Sequence, residues 1–234
     1  GSMYHKNSYD DIKDKLPPYL RGYFDAAMLA QLNIYGDNII DELLTVDILK
    51  QLSEFVDFRQ DKRAFSDIRL VFESTFLGFK LANIERVRTL NLLAKKNKVA
   101  LYTDEQDTSL INVDFKGTVD YMNDMPKVFN NSSINLNMTI RNIRTGIPLR
   151  VWDILGAGGF LLTNYQIELT DYFKNGESIV YYEDMYDCCK KAEYYLLHED
   201  KRRQIAAKGH ELVSKKHSYI NRVKYILDII GKMS

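Results

Sequence analysis

The chain has 234 residues, with 45% hydrophobic and 27% charged side chains, a composition typical of a folded globular protein. It carries 32 basic and 32 acidic residues, so no overall charge would attract nucleic acid or an anionic membrane surface. We therefore expect no nucleic-acid partner, and any anion site must be local. Residues 1–3, Gly-Ser-Met, have the composition of a tag remnant and are left out of the fold prediction.

The two cysteines, Cys188 and Cys189, are neighbours that cannot readily form a disulfide with each other. Together with the lack of a signal-peptide pattern, this favours a reducing, cytoplasmic location. No apolar run reaches the roughly 18 residues that cross a bilayer, so we expect no membrane span.

Residues 4–82 are predicted to form a helical segment. Pro17-Pro18 favours the start of one helix, and Tyr35-Gly36 favours its end. Asp37 is predicted to cap a second helix that runs to the charged stretch from Arg59 to Arg63.

A third helical stretch is predicted from Ala64 to about Lys80, with a short strand within Leu70 to Phe79 as the alternative. A fourth helix, capped by Asn83, is predicted to run to about Lys95.

Residues 83–234 are predicted to form an α/β domain, because short apolar runs alternate with helical stretches. The predicted strands are Val99 to Tyr102, Ile111 to Phe115, Ile134 to Leu136, Phe160 to Leu162 and Ile179 to Tyr181. Their lack of polar alternation indicates a doubly wound parallel sheet covered on both faces. Intervening helices are predicted near Pro126, from Pro148 and near Gln166, and closing helices at Glu183 to His198, Asp200 to about Lys215 and Tyr219 to about Ile230.

The stretch from Thr145 to Asn164 carries the most informative side chains. Pro148 suits the first position of a helix, and Gly146 before it allows a ligand to approach the backbone closely. Arg150 then lies in the first turn, where unpaired N–H groups and the helix dipole favour an anion such as a diphosphate. Asp153 lies three residues later on the same face, where its carboxylate can accept hydrogen bonds from sugar or ribose hydroxyls.

A plainer interpretation of Arg150 and Asp153 is an i,i+3 ion pair on a solvated face, worth only ~0.3 to 0.5 kcal/mol. The spacing alone does not decide between an ion pair and a ligand site. The glycines Gly156, Gly158 and Gly159 are expected to end this helix and turn the chain into the next strand.

Other reactive residue types receive structural roles. His198, His210 and His217 are expected at surface or capping positions, and the Cys188-Cys189 pair in the core. Trp152 is expected to pack its helix against the sheet, with stacking on a base as the alternative.

Several nucleotide and metal motifs are absent from the sequence. A dinucleotide fingerprint runs strand, glycine turn, helix, whereas the glycines here follow a predicted helix and precede a strand. There is no Gly-Lys-Ser or Gly-Lys-Thr phosphate loop, and no Asp-x-Asp that could hold a metal diphosphate. We therefore predict neither a metal nor a resident cofactor.

Five segments carry a family resemblance: 115–121 (Phe-Lys-Gly-Thr-Val-Asp-Tyr), 125–129 (Met-Pro-Lys-Val-Phe), 133–137 (Ser-Ile-Asn-Leu-Asn), 145–164, and His217-Ser218-Tyr219 with Arg222. Together they resemble the spore maturation protein CgeB-like glycosyltransferases, a group predicted to adopt the two-domain GT-B fold. The resemblance covers roughly Glu85 to the C-terminus and is much weaker over the first eighty residues.

The resemblance implies a C-terminal donor-binding domain, with a nucleotide-sugar in the crevice at the carboxyl ends of the parallel strands. By analogy, Arg150 would hold the diphosphate. Asp153 would bind the ribose hydroxyls in place of the Glu of related enzymes, with a side chain one methylene shorter. The segment from Gly117 to Tyr121 would lie near the base, and the phosphates or sugar would lie near Asn137, Thr139, Thr145 and Gly146.

The resemblance also implies a metal-independent glycosyltransferase with a nucleotide-sugar as co-substrate; its acceptor, whether glycan, protein or small molecule, stays open. In GT-B enzymes an N-terminal α/β domain supplies the acceptor site and commonly the catalytic base. The helical first eighty residues lack that pattern, so we expect this domain to be missing and the isolated chain to have little transfer activity. The alternatives are a non-catalytic interaction module and an epimerase-like binding protein; the presence of both Arg150 and Asp153 argues against the first.

Overall fold

Helices dominate the structure, a computed structural model that describes residues 1–56, 67–104 and 106–233. The α-helices within these residues are α1 (Ser8–Ile12), α2 (Pro18–Gln31), α3 (Ile40–Leu43), α4 (Val46–Ser53), α5 (Ile68–Val71), α6 (Gly78–Ala94), α7 (Met125–Asn131), α8 (Leu149–Gly156), α9 (Leu169–Tyr172), α10 (Met185–Leu197), α11 (Glu199–Lys216) and α12 (Tyr219–Met233). The strands are β1 (Val99–Tyr102), β2 (Val113–Gly117), β3 (Asn135–Asn137), β4 (Leu161–Asn164) and β5 (Val180–Tyr182). A 3₁₀ helix at Lys13–Lys15 follows α1, and a π-helix at Phe72–Leu77 joins α5 to α6.

The chain divides into two compact units. Unit 1 comprises the chain up to Thr118 together with Thr139–Thr145, and unit 2 comprises Val119–Met138 and the chain from Gly146 onward. The chain therefore passes between the units three times. The predicted segments 4–82 and 83–234 follow a different division and stay a prediction.

All the strand pairings among the described residues are parallel, which confirms the predicted α/β class. The strands form two sheets rather than one: β1 pairs with β2 in unit 1, and unit 2 holds a sheet of order β3-β4-β5. The two sheets differ in burial. All four residues of the central strand β4 are buried, whereas β2 alternates half-buried and exposed positions, with Asp114 and Lys116 exposed and paired at 2.6 Å. The predicted covering of both faces therefore holds for β4 and not for β2.

Helix α2 begins at Pro18, as its proline pair predicts, and buries a stripe of side chains in the core of unit 1: Leu20, Phe24, Ala27, Met28 and Gln31. The helix predicted from Asp37 is wrong in detail, because it is interrupted and forms α3 and α4. The extended Thr45 ends the first piece, and its hydroxyl accepts the Ile48 N–H to cap the second. The Asp37 carboxylate instead accepts the N–H of Asn38.

The stretch from Leu70 to Phe79 is helical, so the alternative of a short strand is wrong. Asn83 lies inside α6 and does not cap it; its side chain donates to the Met3 carbonyl at 3.0 Å. The predicted end of the second helix, at the charged stretch from Arg59 to Arg63, lies outside the described residues. The predicted start of the third helix at Ala64 lies outside them as well.

The last three helices differ in what they bury. Helices α10 and α11 bury side chains in unit 2. The predicted core position of the Cys188-Cys189 pair is confirmed for Cys188, at 0% exposure, but Cys189 is only partly buried. The prediction that α12 closes the domain is wrong for the part of it that the structure describes: no residue of α12 is buried there, and Ile220 and Leu227 are 67% and 60% exposed. Across the described residues, none of the helices combines the length and the apolar character that crossing a membrane requires.

A buried ion pair anchors the short segment Thr139–Thr145 in unit 1. The Arg141 guanidinium donates to Glu85 Oε1 at 2.9 Å, and the two side chains are only 5% and 3% exposed. The Tyr35 hydroxyl donates to the same oxygen at 2.9 Å, and its ring lies 3.8 Å from the guanidinium carbon. Desolvation of both charges is offset only while the pair is intact.

We expect Arg141→Met to lower the free energy of unfolding by about 3 to 5 kcal/mol, because it leaves Glu85 buried without its cation. The matched control is Arg21→Met, since Arg21 lies 3.8 Å from an exposed Asp14 and is itself 45% exposed. That change should stay within about 1 kcal/mol. Urea denaturation followed by circular dichroism measures both, and equal losses would contradict the prediction.

Gly209 marks a close approach of α11 to the end of α8. A Cβ at this position would lie 2.8 Å from Leu155 Cδ2 and closer still to the Ser178 carbonyl oxygen. We expect Gly209→Ala to destabilise unit 2 by roughly 1 to 3 kcal/mol through overpacking. At the helical position Gly156, an added Cβ would have no atom within 4 Å outside its own stretch of helix. Gly156→Ala should therefore be neutral or stabilise by up to ~1 kcal/mol. Thermal unfolding distinguishes these outcomes, and similar midpoints for the two variants would refute the expectation.

Candidate functional site

Helix α8 begins one residue later than predicted. Pro148 has the extended ψ of 145° and occupies the N-cap, so it is not the first helical residue. Val151, Ile154 and Leu155 are buried in the core of unit 2, with exposures of at most 1%. The opposite face of the helix therefore carries the polar residues of the predicted site.

The glycine cluster ends α8, as predicted. Gly158 adopts a φ of 78°, and its N–H donates to the Leu155 carbonyl at 3.0 Å. The N–H of Gly159 donates to the Ile154 carbonyl at 2.9 Å, which completes a Schellman motif. Gly159 also packs tightly, because a Cβ there would lie 2.6 Å from the Phe129 carbonyl oxygen. These glycines turn the chain into β4.

Arg150 is half-buried in the first turn of α8. Its guanidinium lies 5.3 Å from the centroid of the Phe129 ring and contacts the sulfur of Met125. Among the described residues, no carboxylate lies within ion-pair distance of this guanidinium, so the i,i+3 pair with Asp153 is not formed. Neither a ring face nor a thioether satisfies a guanidinium as a carboxylate or phosphate does.

The Asp153 carboxylate binds a hydroxyl instead. The Tyr121 hydroxyl lies 2.9 Å from Oδ1 and 2.8 Å from Oδ2 of Asp153, and the Tyr121 side chain is 49% exposed. This hydrogen bond is the main cause of the raised pKa of Tyr121, to which burial and the negative charge of Asp153 add. The positive charge of Arg150 opposes the shift, so both residues of the predicted pair act on this hydroxyl.

The backbone before α8 is also occupied by a side chain of the same chain. Gly146 is exposed and has a φ of 94°, a left-handed conformation that favours glycine. Its N–H donates to the carboxylate of Glu168, in the loop after β4. The sequence offered no signal for Glu168, because the contact joins residues 22 positions apart without a local motif.

Asn137 lies at the carboxyl end of β3 and is 8% exposed. Its side-chain amide donates to the hydroxyl of Thr163 on the neighbouring strand at 2.9 Å, and Thr163 is fully buried. Thr163 is thus a second residue that sequence reasoning missed. The pair links two strand ends at the edge where open α/β sheets bind ligands.

The eight predicted site residues divide between the two units. Unit 2 contains Tyr121, Asn137, Gly146, Arg150 and Asp153, and unit 1 contains Gly117, Thr139 and Thr145. Gly117 ends β2 with a φ of 71°, and Thr139 is 4% exposed. Thr145 is exposed and lines a cleft of about 520 Å³ in unit 1, together with Leu70, Glu73, Ser74, Asn142, Ile143 and Arg144. The donor-binding roles of all eight stay a prediction.

Trp152 packs into an aromatic cluster formed by side chains of unit 2. Its ring centroid lies 5.5 Å from that of Phe173 and 5.0 Å from that of His217. His217 Nδ1 accepts from the Arg222 guanidinium at 3.0 Å, and burial followed by the charge of Arg222 lowers the pKa of His217. The surface or capping role predicted for His217 is therefore incomplete. Its backbone N–H caps the end of α11 by donating to the Val213 carbonyl, but its ring packs on Trp152.

Within the three described ranges of the chain, no group of three or more His, Cys, Asp or Glu side chains is arranged to hold a metal ion. Unit 2 thus places the Arg150 guanidinium in the first turn of α8, the Gly146 amide two residues before the N-cap, and the Asp153 carboxylate one turn further along the helix. A guanidinium and an amide N–H are hydrogen-bond donors, and a carboxylate accepts hydrogen bonds from hydroxyl groups.

Residues 83–228 match a family of proteins described as glycosyl transferase-like. The match covers more than half of the chain, and the chain therefore belongs to this glycosyl transferase-like family. Membership supports sugar transfer as the general class of function. No curated protein and no solved structure matches the chain.

The contact between Tyr121 and Asp153 predicts a measurable titration. The carboxylate holds the phenolic proton, so this contact contributes stability at neutral pH that is lost as the pH rises above about 10, the usual pKa of a tyrosine. We expect Asp153→Asn to move the pKa of Tyr121 back towards its ordinary value. The near-ultraviolet absorbance of tyrosinate measures this, with Tyr121→Phe variants of both proteins subtracted to isolate the one residue. An unchanged difference curve would show that the contact is not formed in solution.

Proposed function

We propose that unit 2 binds the diphosphate of a nucleotide-sugar donor at the first turn of α8, and that the protein transfers the sugar to an acceptor. The observation that carries the proposal is the state of Arg150, which is half-buried on a family-matched helix and has no carboxylate partner among the described residues. A guanidinium held against a ring and a thioether retains its capacity for charge-assisted bonds to phosphate.

The backbone around Arg150 supports the same ligand. The first N–H groups of α8 and the positive end of its dipole favour negative charge next to the guanidinium. Gly146, two residues before the N-cap, adds an N–H that already donates to an anionic oxygen of Glu168. Donors of this kind, fixed before the ligand arrives, also suit the stabilisation of a departing nucleoside diphosphate.

Asp153 is the proposed partner of the ribose hydroxyls. Its carboxylate accepts the Tyr121 hydroxyl on both oxygens, which supports a position suited to hydroxyl donors. The side chain is one methylene shorter than the Glu that the resemblance would place here, and it lies on the same helix as Arg150, three residues further on.

The resemblance to CgeB-like enzymes extends the proposal to a GT-B arrangement. In that arrangement a second α/β domain supplies the acceptor site and the catalytic base, and no metal is needed because the charge of the leaving group is met by Arg150 and amide dipoles. Unit 2 alone would then bind the donor with little turnover.

We expect Arg150→Ala to weaken the binding of nucleoside diphosphates roughly ten- to a hundredfold, since each charged hydrogen bond is worth several-fold in affinity. Arg150→Lys should be intermediate, because it keeps the charge and loses the bidentate geometry. Calorimetric titration with the diphosphates of uridine, guanosine, adenosine, cytidine and thymidine, and with their sugars, measures these effects.

The matched control for that titration is Arg203→Ala, which removes an exposed arginine that pairs with Glu199 on α11. It should leave affinity unchanged. Binding that survives Arg150→Ala would refute the role of this residue, and no heat with any nucleotide would favour the interaction module over the transferase.

A further inference from the structure

Two donor-binding groups of unit 2 are already occupied by side chains of the same chain. Asp153, the proposed ribose acceptor, accepts the hydroxyl of Tyr121 on both carboxylate oxygens. Gly146, a proposed phosphate donor, gives its N–H to the carboxylate of Glu168. Both contacts are long-range in sequence, spanning 32 and 22 positions.

The occupying groups share the chemistry of the ligand parts that they exclude. A phenolic O–H is a hydrogen-bond donor, as the hydroxyls of ribose are, and it meets an acceptor-only carboxylate. A carboxylate oxygen is an anionic acceptor, as a phosphate oxygen is, and it meets a backbone N–H. The Tyr121 hydroxyl therefore resembles the ribose of a nucleoside diphosphate, and the Glu168 carboxylate resembles its phosphates.

The two occupying side chains are also free to leave. Tyr121 is 49% exposed and Glu168 is only partly buried, so neither is locked in the core. Within the described ranges, the Tyr121 side chain hydrogen-bonds to Asp153 alone, and the Glu168 side chain hydrogen-bonds to Gly146 alone. Release into solvent would exchange each hydrogen bond for one to water, at a small net cost.

We propose that Tyr121 and Glu168 are internal substitutes for the donor, and that a nucleotide-sugar binds by displacing the tyrosine hydroxyl from Asp153 and the glutamate from Gly146. The inference rests on the proposed donor site. It assigns to Glu168 a competitive role, because its negative charge repels the phosphates as well as blocking the amide. A ligand with only one of the two chemistries displaces only one substitute, which favours a complete nucleotide over either free phosphate or free nucleoside.

Two probes separate the two contacts. Inorganic pyrophosphate carries the phosphates without ribose, and a nucleoside diphosphate carries both. Glu168→Gln keeps the size of the side chain and removes its charge, so we expect affinity for pyrophosphate to rise roughly three- to tenfold. Tyr121→Phe removes only the hydroxyl, so we expect affinity for the nucleoside diphosphate to rise about two- to tenfold, with pyrophosphate unchanged.

Matched controls are available in the same unit. Glu177→Gln makes the same charge change at an exposed position, and Tyr186→Phe makes the same hydroxyl deletion at a residue that is 69% exposed. Neither should alter affinity for either probe. Calorimetric titration measures all four variants, and thermal unfolding confirms that each is folded.

Failure of the inference is distinct from failure of the proposed function. If Arg150→Ala abolishes nucleotide binding while Glu168→Gln and Tyr121→Phe leave affinity unchanged or lower it, the donor site stands and the two residues position the site instead of competing for it. If neither the wild-type protein nor any variant binds pyrophosphate or a nucleotide, both proposals fall. A gain of binding in Glu168→Gln alone, from an undetectable level in the wild type, supports the inference most directly.

Discussion

Burial of one face of α8 is the constraint on which the candidate site depends. Val151, Ile154 and Leu155 are withdrawn from solvent almost completely, and the Schellman motif at Gly158 and Gly159 fixes where the helix ends. With those positions held, the remaining face is determined by helical geometry, and Arg150 and Asp153 project from it one turn apart. Burial of the apolar face of α8 therefore determines which face of the helix carries Arg150 and Asp153.

Local patterns predicted the strands of both units and helix α8 well, because each of these elements is encoded by adjacent residues. The apolar runs predicted every strand to within two residues at its start, and Pro148 and the glycines bracketed α8 to within one residue. The pattern was less informative in unit 1, where Thr45 interrupts a continuous apolar periodicity with a cap that spacing alone does not reveal. Nor did the apolar periodicity of α12 predict its exposure, since periodicity shows that a face is apolar and not whether anything covers it.

The division of the strands between two sheets was not predicted either, because it too depends on more than local sequence patterns. Short apolar runs predict strands, but which strands are neighbours depends on contacts between residues far apart in the chain. The same limit applied to the site. Arg150 and Asp153 follow from spacing on one helix, whereas Tyr121 and Glu168 reach that helix and the glycine before it from other elements, and no local motif encodes their arrival. The resemblance predicts that Tyr121 lies near the base, and the structure shows that its hydroxyl donates to Asp153.

The buried pair of Arg141 and Glu85 has a consequence for dissecting this protein into pieces. Arg141 lies on the short segment Thr139–Thr145, which belongs to unit 1 although it is flanked on both sides by residues of unit 2. A fragment that stops at Thr118 would contain Glu85 and Tyr35 but not Arg141, so the buried Glu85 carboxylate would lack the cation that neutralises it. Unit 1 thus depends on both of its chain segments, and recovering it from separate polypeptides would require supplying the later segment in trans, as in a complementation experiment.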